Sequence, residues 1–110
     1  MAEVKIDIED GVTLNEDGSI TVELTEPIYR ASTKERIEAV TLRRPKVKDI
    51  VDVDTRKLDE GDLTQAMKLI STLGELTMEE VGELGVGDFT LLSRQTPRLF
   101  QRVPASKKRL

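Results

Sequence analysis

Cysteine and histidine are both missing from this sequence of 110 residues. Without cysteine there is no disulfide and no thiolate metal site, a state compatible with a reducing compartment. Without either residue, the commonest general base and the best soft nucleophile are gone. Aromatic residues are nearly absent as well: Tyr29, Phe89 and Phe100 are the whole set, so Leu, Ile and Val must build the core. No apolar run approaches the roughly 18 residues of a membrane-spanning helix. The start, Met1-Ala2-Glu3-Val4-Lys5, lacks the apolar stretch of a signal peptide. A cytoplasmic address is the expectation.

What is present is charge. Hydrophobic residues make up 37% and charged residues 35% of the chain, which suits one thin core surrounded by polar segments. The charge is unevenly placed. Residues 1–88 hold all 21 acidic side chains against 11 basic ones, whereas residues 89–110 hold Arg94, Arg98, Arg102, Lys107, Lys108 and Arg109 and no acid. Such a basic end is either a solvated terminus that aids solubility or a contact for nucleic acid or an acidic protein.

The first 43 residues predict β structure. Val4, Ile6 and Ile8 alternate with Lys5, Asp7 and Glu9, the period of a half-buried strand; this stretch is either a strand or a loose arm extending to about residue 17. Asp10-Gly11 and Asp17-Gly18 are turn signals around Val12-Thr13-Leu14. Ile20, Val22 and Leu24 alternate with Thr21, Glu23 and Thr25, and a second run from Ile37 to Leu42 is expected to pair with them, with Val40 and Leu42 on one face.

Pro45 closes the β half, because proline cannot donate to a sheet ladder and suits a first helical turn. Residues 47–54 fit a short helix through Val47, Ile50 and Val51, although Val51 to Asp54 also alternates like a strand. Asp62 and Gln65 have capping-box spacing, and Leu63, Ala66, Met67, Ile70 and Leu73 then lie on one helix face. Gly74 reads as its stop in the left-handed conformation. Thr77 and Glu80 form a second capping box before a two-turn helix ending at Gly85. A last helix starts near Gly87-Asp88 and aligns Phe89, Leu92 and Leu99. Pro97 should break or kink that helix, since an interior proline costs about 3 kcal/mol. The fold class expected is α+β: an N-terminal β-hairpin or meander followed by a bundle of three to four short helices. Residues 1–103 form a single domain in this reading, with a disordered basic tail at 104–110.

The search for chemistry returns little. Ser19, Ser32 and Ser71 sit on turn or helix-surface patterns, and none occupies a nucleophile elbow. The acidic groups at 49–54, 59–62 and 79–83 are explained by helix starts and solubility; three aromatics are little material for a sugar cleft between paired carboxylates. The run from Asp52 to Leu63 resembles a calcium loop but has Lys57 at the turn-glycine position and Leu63 at the bidentate-glutamate position. Gly82, Gly85 and Gly87 follow a helix and have no phosphate-binding lysine. No catalytic, metal or cofactor site is therefore expected, and the protein should not be an enzyme.

Interaction surface remains. Helices of this length are marginal alone and persist through packing. Leu69, Leu76, Leu91 and Phe100 fall off the main core stripes and, with Arg94 and Arg98, are the candidate partner-binding residues. A helix-in-groove mode suits such an architecture.

Three stretches also resemble one family. Val40-Thr41-Leu42-Arg43-Arg44-Pro45-Lys46-Val47-Lys48-Asp49-Ile50 resembles the T-L-R-x-P-x-V-x-D-hydrophobic signature of Mu-like phage tail assembly chaperones. Met67 to Leu73 resembles that family's central helix. Leu76 to Leu84 followed by Asp88-Phe89 resembles its L-x-x-E-E-V-x-x-L-x-x-x-D-F segment. The similarity spans residues 20 to 100. It implies a small protein of the host cell cytoplasm that coats the tape-measure protein, a long and aggregation-prone helical chain, until tail-tube subunits replace it. Self-association and a tail-tube contact are further implied partners. Pro97 and Lys46 depart from the pattern, and the basic tail is unexplained by it. Many relatives also have a longer, frameshifted form, for which Lys107-Lys108 is a candidate slippery site. The alternative function is a nucleic-acid-binding adaptor using the basic C-terminal segment, disfavoured because the acidic body repels phosphate.

Overall fold

The computed structural model describes residues 6–51, 53 and 62–101. The expected basic tail at 104–110 lies outside them. Four strands come first: β1 (Ile6–Glu9), β2 (Val12–Leu14), β3 (Ile20–Tyr29) and β4 (Arg36–Leu42). They form one antiparallel sheet in the order β1-β2-β3-β4, a meander. A 3-10 turn (Val47–Ile50) and three helices follow: α1 (Leu63–Gly74), α2 (Met78–Gly82) and α3 (Val86–Phe100). The α+β expectation holds, as does the pairing of the 20–26 run with the 37–43 run. Residues 6–9 are a sheet strand, with Ile6 opposite Leu14 and Asp7 opposite Thr13.

The register sorts the strand residues into alternating rows. Val12, Val22 and Val40 stand side by side, as do Leu14, Ile20 and Leu42, and these rows face the helices. Between them lies the row Thr13-Thr21-Thr41 on the opposite face. The apolar rows meet Leu69, Ile70 and Leu73 of α1, Leu76, Val81 and Leu84 around α2, and Leu92 and Leu99 of α3 in one core. Apart from half-buried Leu14, each is nearly or wholly removed from water, and burying a side chain of this kind is worth about 1.5–3 kcal/mol.

Four details differ from the sequence reading. The exposed apolar residue on α1 is Leu63, at 61%, while Leu69 is fully buried. The helix touches β4, the 3-10 turn and both other helices, so it buries a wider arc than one stripe. Second, Gly74 is not left-handed. It ends α1 in helical conformation, and Glu75 takes the left-handed turn at φ 55°. The glycine is required for a different reason: a Cβ there would sit 2.9 Å from Cγ1 of Val40, so α1 can close on β4 only at a residue without one. Third, the segment after Pro45 is a 3-10 turn rather than an α-helix; the rest of the predicted helix, at 52 and 54, lies outside the described residues. Fourth, α3 runs through Pro97 to Phe100 instead of breaking. Proline leaves the carbonyl of the residue four positions earlier without its amide donor. Here that residue is Ser93, and the Thr96 hydroxyl donates to its oxygen at 2.8 Å.

Candidate partner-binding surface

The polar groups that tie this fold together come from the motifs. In the segment after β4, Arg43 donates two hydrogen bonds to Asp49, Nη1 to Oδ2 at 2.6 Å and Nη2 to Oδ1 at 2.8 Å. Asp49 also accepts from the Lys46 backbone N–H at 2.7 Å. A planar fork meeting a carboxylate in this way is among the stronger polar contacts. The Arg43 bonds first, and the Lys46 amide second, hold the Asp49 carboxyl far below its ordinary range. The pair pins the 3-10 turn beneath the end of β4, where the Arg43 amide donates to the Leu73 carbonyl at 3.1 Å.

Glu80 is the second tie. Its expected capping box is present: the Thr77 amide donates to Oε1 at 2.9 Å, and the Glu80 amide donates to the Thr77 hydroxyl at 3.0 Å. The same carboxylate, only 2% exposed, reaches into the β3–β4 loop. It accepts from the Ala31 amide at 2.8 Å and from Arg30 at 3.2 Å. The Ala31 amide first and the Thr77 amide next lower its pKa, more than burial raises it. Arg30 completes the clasp by donating to the Glu75 carbonyl.

Asp88 is the third, and its role is not visible in the sequence. The β3–β4 register slips between Glu23 and Ile28, so that residues 24–27 of β3 stand opposite Glu38 alone. A bulge of this kind frees amides from the ladder. The Asp88 carboxylate, 3% exposed, takes them up: it accepts from the Thr25 amide at 3.0 Å, the Glu26 amide at 3.2 Å and the Thr25 hydroxyl at 3.0 Å. Pro27, which has no amide to offer, falls within the same irregular stretch.

The candidate partner-binding residues divide. Leu69 and Leu76 are 0% and 5% exposed and belong to the core, which corrects the expectation that they lie off its stripes. Helix α1 has neighbours on several sides, and Leu76 tucks beneath the α1–α2 turn, its amide donating to the Ser71 carbonyl at 3.0 Å. Leu91 is half-buried against that core. Arg94, Arg98 and Phe100 do stand exposed on the C-terminal half of α3. Arg94 is drawn toward β1, its Nη1 3.7 Å from the Glu9 carboxylate. Beside it Gln95, wholly buried between Leu92 and Leu99, donates to Glu9 at 3.2 Å and to the Leu91 carbonyl at 3.1 Å. Gln95 escaped the sequence reading because it occupies a core position that the apolar pattern leaves blank.

Sequence reasoning also missed a second exposed region. Val47 and Val51, read as the apolar side of a helix, are 81% and 73% exposed. Between the 3-10 turn and α1 runs a groove lined by Lys48, Asp49, Val53, Lys68, Thr72 and Met78, among others. Among the described residues, no group of three or more acidic side chains is placed to hold a metal ion. No described helix is long and apolar enough to cross a membrane.

A meander sheet backed by three helices and clasped by buried carboxylates, with apolar side chains exposed on the 3-10 turn and at the helix ends among other places, is a small α+β scaffold. The family described as "phage tail assembly chaperone proteins, E, or 41 or 14" matches residues 21–101, and the chain belongs to it. No curated protein and no solved structure matches the chain significantly. Arg43, Asp49, Glu80 and Asp88, which stand in the motif stretches, spend their side-chain hydrogen bonds within the fold.

Proposed function

We propose that this chain binds the tape-measure protein and keeps it soluble in the host cytoplasm until tail-tube subunits displace it. Membership of the tail assembly chaperone family over residues 21–101 carries the reading. The task is physical: a long helical chain exposes apolar stripes that aggregate unless covered. A small acidic domain supplies solubility, and many weakly bound copies along one target supply occupancy through linked binding. No covalent chemistry is needed for this, so the role is non-enzymatic. The contact includes the exposed side of α3, where Phe100 offers apolar area and Arg94 and Arg98 offer charge, with Leu91 at its margin.

The test is co-expression with the tape-measure gene of the same phage genome. The tape-measure protein should move from the pellet to the soluble fraction and co-purify with this chain. An unchanged pellet without co-purification overturns the reading. Substituting Phe100→Asp together with Arg94→Glu should reduce co-purification while leaving the melting temperature within a few degrees.

A further inference from the structure

The exposed apolar side chains are not scattered evenly. Of the eight large ones that stand most open among the described residues, Val47 opens the 3-10 turn and Val51 follows it, Leu63 begins α1 and Met78 begins α2. These elements enclose the groove of about 590 Å³ described above, with nearly buried Val53 and half-open Met78 on its walls. Its charge runs against the net charge of residues 1–88. Lys48 and Lys68 line it, and the one carboxylate among its described lining residues, Asp49, is neutralised by the two bonds from Arg43. Residues 1–88, these lysines included, carry an excess of ten negative charges. An acidic partner is therefore repelled by most of this body and attracted here, which makes the pair of lysines a steering element and a means of fixing register.

We propose that the groove between the 3-10 turn and α1 docks an amphipathic helix that carries carboxylates beside its apolar stripe. The proposal rests on the reading of this chain as a holder of helices and locates a second contact, separate from the end of α3. The apolar stripe meets Val53, Met78 and the exposed valines, and the carboxylates meet Lys48 and Lys68.

The experiment uses the full chain labelled with ¹⁵N and with ¹³C at its methionine methyls. The probe is a synthetic amphipathic helical peptide with leucines on one stripe and glutamates bordering it; its twin has lysines in place of the glutamates. The glutamate peptide should shift the Met78 methyl and the Lys68 and Thr72 amides, and the twin should not. Lys48→Glu with Lys68→Glu should weaken glutamate-peptide binding by about tenfold or more, and Lys48→Glu alone, at an exposed position, should show part of that loss. Absent shifts, shifts confined to α3, equal binding of the twin, or full affinity in the double variant each overturn the proposal. So does occupation of the groove by residues 54–61, which shows as an unresponsive Met78 methyl. Co-purification of the tape-measure protein by the unaltered chain is scored separately. Its failure refutes the proposed function while the peptide titration still decides the groove.

Discussion

The two faces of the sheet are built from residues one position apart, and they live in opposite surroundings. Val12, Val22 and Val40 form a row sealed under the helices, each at 2% exposure or less. The adjacent row, Thr13, Thr21 and Thr41, faces outward, with the Thr21 and Thr41 hydroxyls 2.8 Å apart and the Asn15 amide donating to Thr21 at 2.9 Å. Threonine and valine have nearly the same shape and the same preference for strands. The contrast therefore isolates one variable, a hydroxyl for a methyl, and shows that the helical layer decides which is tolerated. The covered face also needs polar plugs wherever its backbone departs from the ladder. The open face needs none, because water serves.

Substitutions can break that contrast. The largest effect is expected from Asp88→Ala, which strands the Thr25 and Glu26 amides beneath α3; a loss of about 3 kcal/mol in urea unfolding is expected. Glu80→Gln should lower the melting temperature by less. It should also flatten the acid limb of stability, because a carboxyl depressed by folding contributes fully above its unfolded value and loses its contribution as pH falls through the folded one. For the unaltered protein, unfolding at pH stepped downward from 5 should show stability falling, with Asp49 adding to the same limb since its carboxyl is likewise depressed. Val22→Thr, burying an unpartnered hydroxyl in the sealed row, should cost about 2 kcal/mol. Gly74→Ala tests the approach of α1 to β4. In an open helix this change stabilises, but the contact with Val40 should reverse its sign to a loss of about 1 kcal/mol. Smallest of all, Thr21→Val on the open face should fall within about 0.5 kcal/mol of no change. Equal losses from Val22→Thr and Thr21→Val would mean that the open face is covered in solution.

Local rules reached far along this chain. Alternation placed β3 and β4 and told their faces apart, and capping-box spacing marked the starts of α1 and α2 at Asp62 and Thr77. What escaped was set by neighbours distant in sequence. Leu69 is buried because four other elements crowd α1, which no single-helix pattern encodes. Gly74 looked like a stop because its closeness to Val40 is a tertiary fact. Pro97 looked like a break because the rescuing hydroxyl of Thr96 is visible only once the helix exists. The candidate surface fared unevenly for the same reason: Arg94, Arg98 and Phe100 are charged or terminal and stayed outside, while Leu69 and Leu76 were taken inward. The groove beside the 3-10 turn was illegible, since a run of valines at helical spacing reads as core until the turn is seen to expose them.

The Asp88 plug has a consequence for how the protein is made. The sheet is finished at residue 42, yet the acid that completes its bulge is synthesised 63 positions after Thr25. Until then the Thr25 and Glu26 amides lack this acceptor, and the helix that brings it also carries Phe100, so the bulge and the exposed end of α3 are set in place by one element.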